Sequence, residues 1–464
     1  MVKQFFEKLH IRRTIMKKTM RKSLLTISLA VILAFTMAFS ALAASYEHIA
    51  DELNGLGLFQ GTDAGYDLDR APTRAEAVTM LVRFLGLEEE ALAEQYEHPF
   101  DDSRGWMSPF IGIAFEKGLT TGTSATTFNP GGVCNAQMYV TFILRALGYS
   151  DAADGDFAYA DAILYGKSIG VIDDILASGT FLRDEMVVVS YLALVTAPKD
   201  SEFSTLLEKL VVEGAVTQSA AAGAAAKLKL LEEFAVLNSS LDNETNFEMV
   251  MKMDIDLGAL GGGEASMELN MIIGDNFDIL ASIIMDISII AMETPFLETS
   301  MEMYIADGFV YINADGEKIK VDAGLADLDL DAILGMAEMG EFAETPLYAI
   351  SSIKKSTSGT LTVYEVEFAE GFMDAVMAMA MGMMDIADLG LQEMEDMNLK
   401  ISGMKFYADP NGNLRTIAMD MSMMVDVGIG PLPVNISMEI DIMLVGAAVK
   451  VTLPDDLGEY ELVG

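Results

Sequence analysis

Residues 72–86 read PTRAEAVTMLVRFLG. The hydroxyl of Thr73 can accept a hydrogen bond from an N–H group of the following turn, and the Glu76 carboxylate can accept one from the backbone N–H of Thr73. The apolar positions recur at helical spacing, and they are Val78, Leu81, Val82 and Leu85. The stretch therefore predicts a capped amphipathic helix that ends near Gly86.

This helix recurs along the chain. The segment LVRFLG at 81–86 returns 62 residues later as ILRALG at 143–148. The loop GLFQG at 57–61 returns 61 residues later as GLTTG at 118–122. A weaker third copy reads LRDE at 182–185, where the first copy has TRAE. Such repetition predicts small helical units that bury their apolar faces against one another.

Further motifs accompany the second copy, namely Phe100-Asp101-Asp102, Trp106 and Phe128-Asn129-Pro130. Together with the TRAE segment they resemble the S-layer homology (SLH) domain, an all-α repeat that usually occurs as three copies. The resemblance covers residues 46–197, divided into about 46–95, 96–150 and 151–197. It implies a secreted protein that attaches non-covalently to bacterial cell-wall polysaccharide.

The resemblance also implies a carbohydrate site. In the family, a Trp of the first helix and the Arg of the TRAE motif help to line grooves that hold a pyruvylated wall sugar. An Arg fork suits a carboxylate, and an aromatic face suits a sugar ring. The residues carried over by position are Arg74, Asp101, Trp106 and Arg183. Repeat two departs from the family pattern with Cys134-Asn135-Ala136-Gln137 in the place of TRAE, and repeats one and three have no Trp.

The first 43 residues have the pattern of an export signal. Four bases at 17–22 precede an apolar run at 24–39, and Ala41-Leu42-Ala43 offers a small-x-small cleavage site. The alternative is an uncleaved membrane anchor, but the run is slightly short for a span. We therefore predict cleavage after Ala43, no transmembrane segment thereafter, and a location in the cell wall or at the cell surface. Translation from Met16 instead of Met1 stays open.

Charge and cysteine content exclude several functions. The chain has 71 acids and 29 bases, a formal net charge of −42. Without residues 1–43, which hold eight of the bases and one acid, the balance is −49. Such a chain repels nucleic acid at long range, so no nucleic-acid partner is expected. Because Cys134 is the one cysteine, no intrachain disulfide can form.

The second half of the chain changes from helical periodicity to strict alternation. Apolar and polar residues alternate at 247–257, 267–273, 283–289, 301–305, 417–425 and 436–442. This predicts a large curved antiparallel sheet with one apolar and one acidic, solvated face. Turn residues at 313–316 and 409–413 predict hairpins.

The predicted fold class is therefore multidomain, with an all-α repeat domain followed by an α+β domain at 227–464. Residues 198–226 are predicted to be a junction with an Ala-rich connector, after which a helix starts at Lys227. Helices predicted at 330–342 and 371–384 are expected to lie in the concave face of the sheet.

The predicted sheet domain resembles the LolA/LppX-like group of exported lipid- and lipoprotein-handling proteins. The residues that carry this resemblance are Tyr304, Gly308, Tyr311, Lys318 and Lys320. It implies an apolar or lipid-like ligand, and flexible methionines suit a cavity for variable ligands. The cavity candidates are Met251, Met253, Met271, Met285, Met303, Met377, Met381 and Met421. The alternative is that these methionines simply fill the core.

We find no signature of catalysis. Neither His48 nor His98 belongs to a metal or nucleophile motif, and no glycine-rich phosphate loop follows a strand. We therefore expect no enzyme, metal or cofactor. The favoured function is a wall-anchored secreted protein whose sheet binds an apolar ligand. The alternatives are a structural or interaction protein without a small ligand, and a hydrolase whose paired carboxylates only a structure would reveal.

Overall fold

The computed structural model describes residues 45–462, apart from 62–64, 95, 178–179, 240–245, 257–262, 274–278, 290–296, 307–308, 315, 323–345, 370–371, 373–399 and 427–430. The predicted leader at 1–43 and the predicted helix at 330–342 lie outside these residues, as does nearly all of the predicted helix at 371–384.

Helices occupy the chain up to residue 238. They are α1 (Glu47–Gly55), α2 (Arg74–Phe84), α3 (Glu88–Ala93), α4 (Ser108–Glu116), α5 (Ala136–Ala146), α6 (Ala162–Ser168), α7 (Asp174–Ala177), α8 (Arg183–Val195), α9 (Leu206–Val212) and α10 (Gln218–Asn238). Short 3-10 turns at Gly105–Met107 and Tyr159–Asp161 precede α4 and α6. The apolar residues of the repeats share one core, whose fully buried members include Leu53, Leu81, Ile111, Ile143 and Val187.

The three long repeat helices begin at equivalent residues. The Thr73 hydroxyl accepts from Glu76 N at 3.3 Å, and Glu76 accepts from Thr73 N at 2.8 Å, so the predicted cap of α2 is confirmed. In α5 the cap is Asn135, whose side chain accepts from Met138 N at 3.0 Å. The cap therefore aligns Asn135 with Thr73 and Ala136 with Arg74. The spacing from the preceding loop placed Cys134-Asn135-Ala136-Gln137 opposite TRAE, which aligned Asn135 with Arg74 and was one residue off.

Helix α10 begins nine residues before the start predicted at Lys227. The Thr217 hydroxyl accepts from Ala220 N at 3.2 Å, and the Ala-rich stretch, predicted to be a connector, forms its first turns because alanine has the highest helix propensity. Ala221 and Ala224 pack in the core of the repeats. Phe234, further along the same helix, packs in the core of the sheet. One continuous helix thus belongs to both cores.

The described strands form one twelve-stranded sheet. They are β1 (Phe247–Asp256), β2 (Gly263–Ile273), β3 (Ile279–Ile289), β4 (Leu297–Ala306), β5 (Phe309–Ala314), β6 (Glu317–Asp322), β7 (Ile350–Ser358), β8 (Leu361–Phe368), β9 (Lys400–Ala408), β10 (Leu414–Asp426), β11 (Pro431–Val445) and β12 (Glu461–Leu462). The order is β12-β6-β5-β4-β3-β2-β1-β11-β10-β9-β8-β7. All neighbours are antiparallel except β12 and β6, so the large antiparallel sheet of an α+β fold is confirmed.

The register brings methionines together on one face. Across five neighbouring strands, the methionine row consists of Met404, Met419, Met438, Met253 and Met267. These side chains are 1–5 % exposed. The face is covered in part by α10, whose Leu231 and Phe234 belong to the same core.

The alternation predicted that the opposite face is solvated throughout. In the structure, part of that face is buried. Near the β6 edge, Tyr304 and Tyr311 are buried beneath the C-terminal segment, where Tyr460 packs edge-on against Tyr311 at 5.5 Å. Lys318 binds Asp456 at 2.5 Å and Glu459 at 2.8 Å. Three of the hairpin residues that suggested the LolA/LppX-like group therefore hold the C-terminal segment in place.

Candidate functional site

The N-terminus of α2 lies against a loop of repeat two, and we call this contact the first seam. Arg74 N donates to Gly132 O at 2.8 Å, and Ala75 N donates to Pro130 O at 3.1 Å. The guanidinium Nε of Arg74 donates to Phe128 O at 2.9 Å. The helix start and the guanidinium thus bind alternate carbonyls of residues 128–132.

The second seam, between α8 and repeat one, has the same pattern. Arg183 N donates to Arg70 O at 2.9 Å, and Asp184 N donates to Leu68 O at 3.1 Å. The Nε of Arg183 donates to Tyr66 O at 2.9 Å. The three acceptors again alternate along the loop. Two of the predicted site residues therefore occupy structurally equivalent positions between repeats.

Arg74 is a buried cation that forms no ion pair with any carboxylate of the described residues. It is 5 % exposed, its Nη2 donates to Thr121 O at 3.2 Å, and its guanidinium lies 4.6 Å from the centre of the Phe128 ring. In the part of the chain that the structure describes, no carboxylate forms an ion pair with it. Burial lowers the pKa of Arg74 because the charged form is poorly solvated. Among the described carboxylates, Asp102 acts on this charge only at a distance, and its effect on the pKa is opposite to that of burial.

Arg183 is equally buried, at 4 % exposure, and its guanidinium lies 5.7 Å from the centre of the Phe59 ring. Burial lowers its pKa as well. The nearby carboxylate of Glu76 is already bonded to Arg70 at 2.7 Å. The N-terminus of α5 differs, because Ala136 stands at the position equivalent to Arg74 and Arg183 and offers no guanidinium.

The acid that supports the first seam is Asp102, the neighbour of the predicted Asp101. Its carboxylate accepts from Phe128 N at 2.9 Å and from Asn129 N at 2.8 Å, which fixes the loop that Arg74 binds. The Asp101 side chain is exposed, and only its backbone N–H bonds to this loop, at Thr126 O. The signal for Asp102 was present in the sequence, because Asp102 is the acid of the Phe-x-Asp motif that begins at Phe100.

Two exposed aromatic residues occupy the 3-10 turns that open repeats two and three. Trp106 is 58 % exposed in the first of these turns, so it is not a core residue of its repeat. Tyr159 is 47 % exposed in the second, and the sequence did not predict it as a site residue. Partial burial raises the pKa of Tyr159, and the charge of Arg74 acts in the opposite direction. Tyr159 is thus within electrostatic reach of the first seam, and the Gln137 amide donates to its carbonyl.

Five of the eight methionine candidates have described side chains, and these five lie in the core of the sheet or pack against it. Met251, Met253 and Met421 are 1–4 % exposed, and Met271 and Met303 are half-buried. Met285 pairs with Met267 in the register of β3 and β2. Met377 and Met381 lie outside the described residues. Burial of this kind fits core filling, and the apolar cavity stays a prediction.

Neither a metal centre nor a membrane span emerges from the described ranges. Within them, no three His, Cys, Asp or Glu side chains are grouped as metal ligands. Among the same residues, no helix has both the length and the apolar character needed to cross a bilayer.

Comparison with curated proteins points to the bacterial cell surface. The chain is 33 % identical over 125 residues to the middle cell wall protein of Brevibacillus brevis, and 33 % identical over 130 residues to a surface layer protein of Brevibacillus choshinensis. It is 26 % identical over 193 residues to a cell surface protein of Thermoanaerobacter kivui. These matches cover 26 %, 26 % and 37 % of the chain, and 12 %, 12 % and 24 % of the relatives. The predicted cell-surface location is confirmed.

No protein-family model matches the chain. Among solved structures, LprF from Mycobacterium bovis is similar over 48 % of this chain and 95 % of its own, with 13 % identity and a TM-score of 0.26. A LolA superfamily protein from Nitrosomonas europaea is similar over 50 % of this chain and 96 % of its own, with 9 % identity and a TM-score of 0.16.

Proposed function

We propose that the helical repeats, which resemble SLH repeats, hold this secreted protein non-covalently on cell-wall polysaccharide. The observation that carries the proposal is the buried Arg74, whose charge has no anionic partner in the described chain. A carboxylate-bearing sugar, such as one of a pyruvylated secondary polymer, would supply the missing negative charge. Trp106 and Tyr159 offer exposed aromatic faces to the sugar rings.

Two further findings support the proposal. The same three hydrogen bonds form at the second seam, so Arg74 and Arg183 provide two equivalent cationic positions. The relatives are named as cell-wall, surface-layer and cell-surface proteins, although the chain spans at most about a quarter of their length. Binding of this kind involves no catalysis, cofactor or metal.

Co-sedimentation of the full secreted chain with purified sacculi tests the proposal. Trp106→Ala is expected to lower the bound fraction at least fivefold, and Leu92→Ala is the matched control because Leu92 is 59 % exposed and Trp106 is 58 % exposed. Arg74→Lys keeps the charge but loses the fork, and Arg74→Met loses both. We expect binding to fall in the order wild type, Lys, Met, and to weaken with added salt because the ligand is anionic.

Wild-type binding by the Trp106→Ala chain, or binding that salt does not change, would contradict the proposal. Circular dichroism at 222 nm checks that each variant keeps the helices. The apolar ligand of the sheet stays a prediction, because Met251, Met253 and Met421 are buried in its core. The predicted apolar ligand is tested separately by solvent extraction of the purified protein, followed by mass spectrometry of the extract.

A further inference from the structure

The solvated face of the sheet contains a depression of about 250 Å³ across β9, β10, β11 and β1. Its floor is formed at Gly403 and Ala418, two residues with little or no side chain. The pairing of β9 with β10 is irregular here, because Met419 pairs with Met404 whereas Met421 pairs with Ile401. Gly403 has a φ of 144°, in the region that favours glycine. The bulge thus leaves an opening in a face otherwise filled by side chains.

Two lysines stand at opposite ends of this depression. The register places Lys405, Ala418, Glu439 and Lys252 side by side on four neighbouring strands. Three strand spacings separate the two lysines, about 14 Å. Both side chains are about half exposed, and their nearest carboxylates, on Asp441 and Glu365, lie 3.6 Å from Nζ.

These two lysines are held loosely in comparison with others in the protein. Lys227 binds Glu52 at 2.8 Å, and Lys355 binds Glu233 at 2.6 Å. At 3.6 Å the ammonium groups of Lys252 and Lys405 keep their hydrogen-bonding capacity, because that distance exceeds a hydrogen bond to the carboxylate. Both can turn towards a ligand that lies across the strands.

The remaining groups around the depression define the chemistry of that ligand. Glu439 and Asp420 provide acceptors, Lys252 and Lys405 provide donors, and the half-buried Tyr407 provides an aromatic ring. The carboxylates around the depression and the formal net charge of −42 oppose the binding of an anion there.

From this arrangement we infer that the depression is a second carbohydrate site, which binds a neutral, hydroxyl-rich glycan segment of two or three sugars lying across the strands. Hydroxyl groups use donors and acceptors alike, which matches alternating lysines and carboxylates. The site is on the sheet, away from the seams of the repeats, and it does not depend on the acidic sugar proposed there.

Saturation-transfer NMR on the full chain with N-acetylchitotriose as the probe tests this inference. We expect transfer to the sugar ring protons, and its loss in Ala418→Leu, where the larger side chain fills the floor. Ser282→Leu on β3 is the matched control, because it is a half-buried residue of the same face outside the depression and should leave the transfer unchanged. The double variant Lys252→Gln with Lys405→Gln removes exposed side chains only, and it should weaken binding at least threefold.

Three results would overturn the inference: no transfer to the probe in the wild type, full transfer in Ala418→Leu, or stronger transfer to trigalacturonic acid than to the neutral probe. The two proposals are tested separately. Wild-type sacculus binding by the Trp106→Ala chain would contradict only the proposal for the seams. Full transfer to the probe in Ala418→Leu would contradict only the proposal for the depression.

Discussion

At the scale of single residues, the two neighbouring acids Asp101 and Asp102 make a direct test of the first seam. Both are exposed, but only the Asp102 carboxylate accepts two backbone N–H groups, which outweigh burial and lower its pKa. We expect Asp102→Ala to lower the free energy of unfolding by about 1–3 kcal/mol, since hydrogen bonds to a charged group are lost. Asp101→Ala should change it by less than about 0.5 kcal/mol. Urea unfolding measures both, and equal effects would contradict the role given to Asp102.

A second prediction concerns Asp184, which is 9 % exposed and accepts from Tyr46 N at 3.0 Å. Burial raises its pKa to about 7, so between about pH 4 and 7 the folded protein holds a proton that the unfolded chain has lost. The free energy of unfolding of the wild type should therefore fall relative to Asp184→Asn by about 1.4 kcal/mol per pH unit as pH rises through this window. If the difference in free energy of unfolding between the wild type and Asp184→Asn does not change with pH, the raised pKa of Asp184 is wrong.

His48 should show the opposite dependence. Its Nε2 donates to Tyr348 O at 3.1 Å, since a carbonyl only accepts, and burial lowers its pKa to about 4. Between about pH 4 and 6.5 the unfolded chain binds a proton that the folded protein excludes. Relative to His48→Gln, which keeps an N–H donor, the wild type should lose stability as pH falls through this window. Urea titrations at half-unit pH steps measure the slope, and a flat profile would contradict the assignment.

At the scale of elements, the sequence predicted those segments whose local pattern agrees with their final environment. The cap of α2 is encoded by Thr73 and Glu76, and the alternation in β1, β2, β10 and β11 matches one buried and one polar face. The hairpins at 313–316 and 409–413 were also predicted from their turn residues, and both are confirmed.

Other elements depend on contacts that no local pattern contains. Strands β7 and β8 were missed because their exposed end, Ser356 to Ser358, has a turn-like composition. The Ala-rich connector is helical because alanine has a high helix propensity and because Thr217 caps the helix. Its low-complexity composition had instead suggested a linker. The Arg74 seam could not be derived either, because its acceptors on residues 128–132 lie more than fifty residues away in the chain.

The methionine row gives a prediction about chemical reactivity. Its five residues are 1–5 % exposed, whereas Met443 at the end of β11 is 51 % exposed. Peroxide oxidises accessible thioethers first, so brief treatment of the folded protein should oxidise Met443 at least tenfold faster than Met253. Peptide mass spectrometry measures both rates, and treatment in urea is the control in which the difference should vanish. Equal rates in the folded state would mean that the row is open to solvent, as an accessible ligand cavity requires.

At the scale of the whole molecule, the repeats and the sheet are joined by buried contacts. Tyr348, immediately before β7, is 3 % exposed and belongs to the core of the repeats, where its ring packs edge-on against Tyr46 at 5.4 Å. Its hydroxyl donates to Asp173. Lys227 of α10 binds Glu52 of α1 at 2.8 Å with both side chains largely buried. The sheet is therefore fixed to the repeats by packing as well as by the chain.

This coupling predicts how the protein unfolds. Because α10 belongs to both cores and Tyr348, just before β7, packs in the core of the repeats, scanning calorimetry of the wild type should show one cooperative transition. Tyr348→Ala removes a buried aromatic ring from the contact, which costs about 3–5 kcal/mol for comparable core truncations, and should split the transition into two. Tyr407→Ala, on the solvated face of β9, is the control and should leave one transition. Two transitions in the wild type would mean that the repeats hold the sheet only by a tether. A single transition that Tyr348→Ala splits would mean that the repeats set the orientation of the sheet.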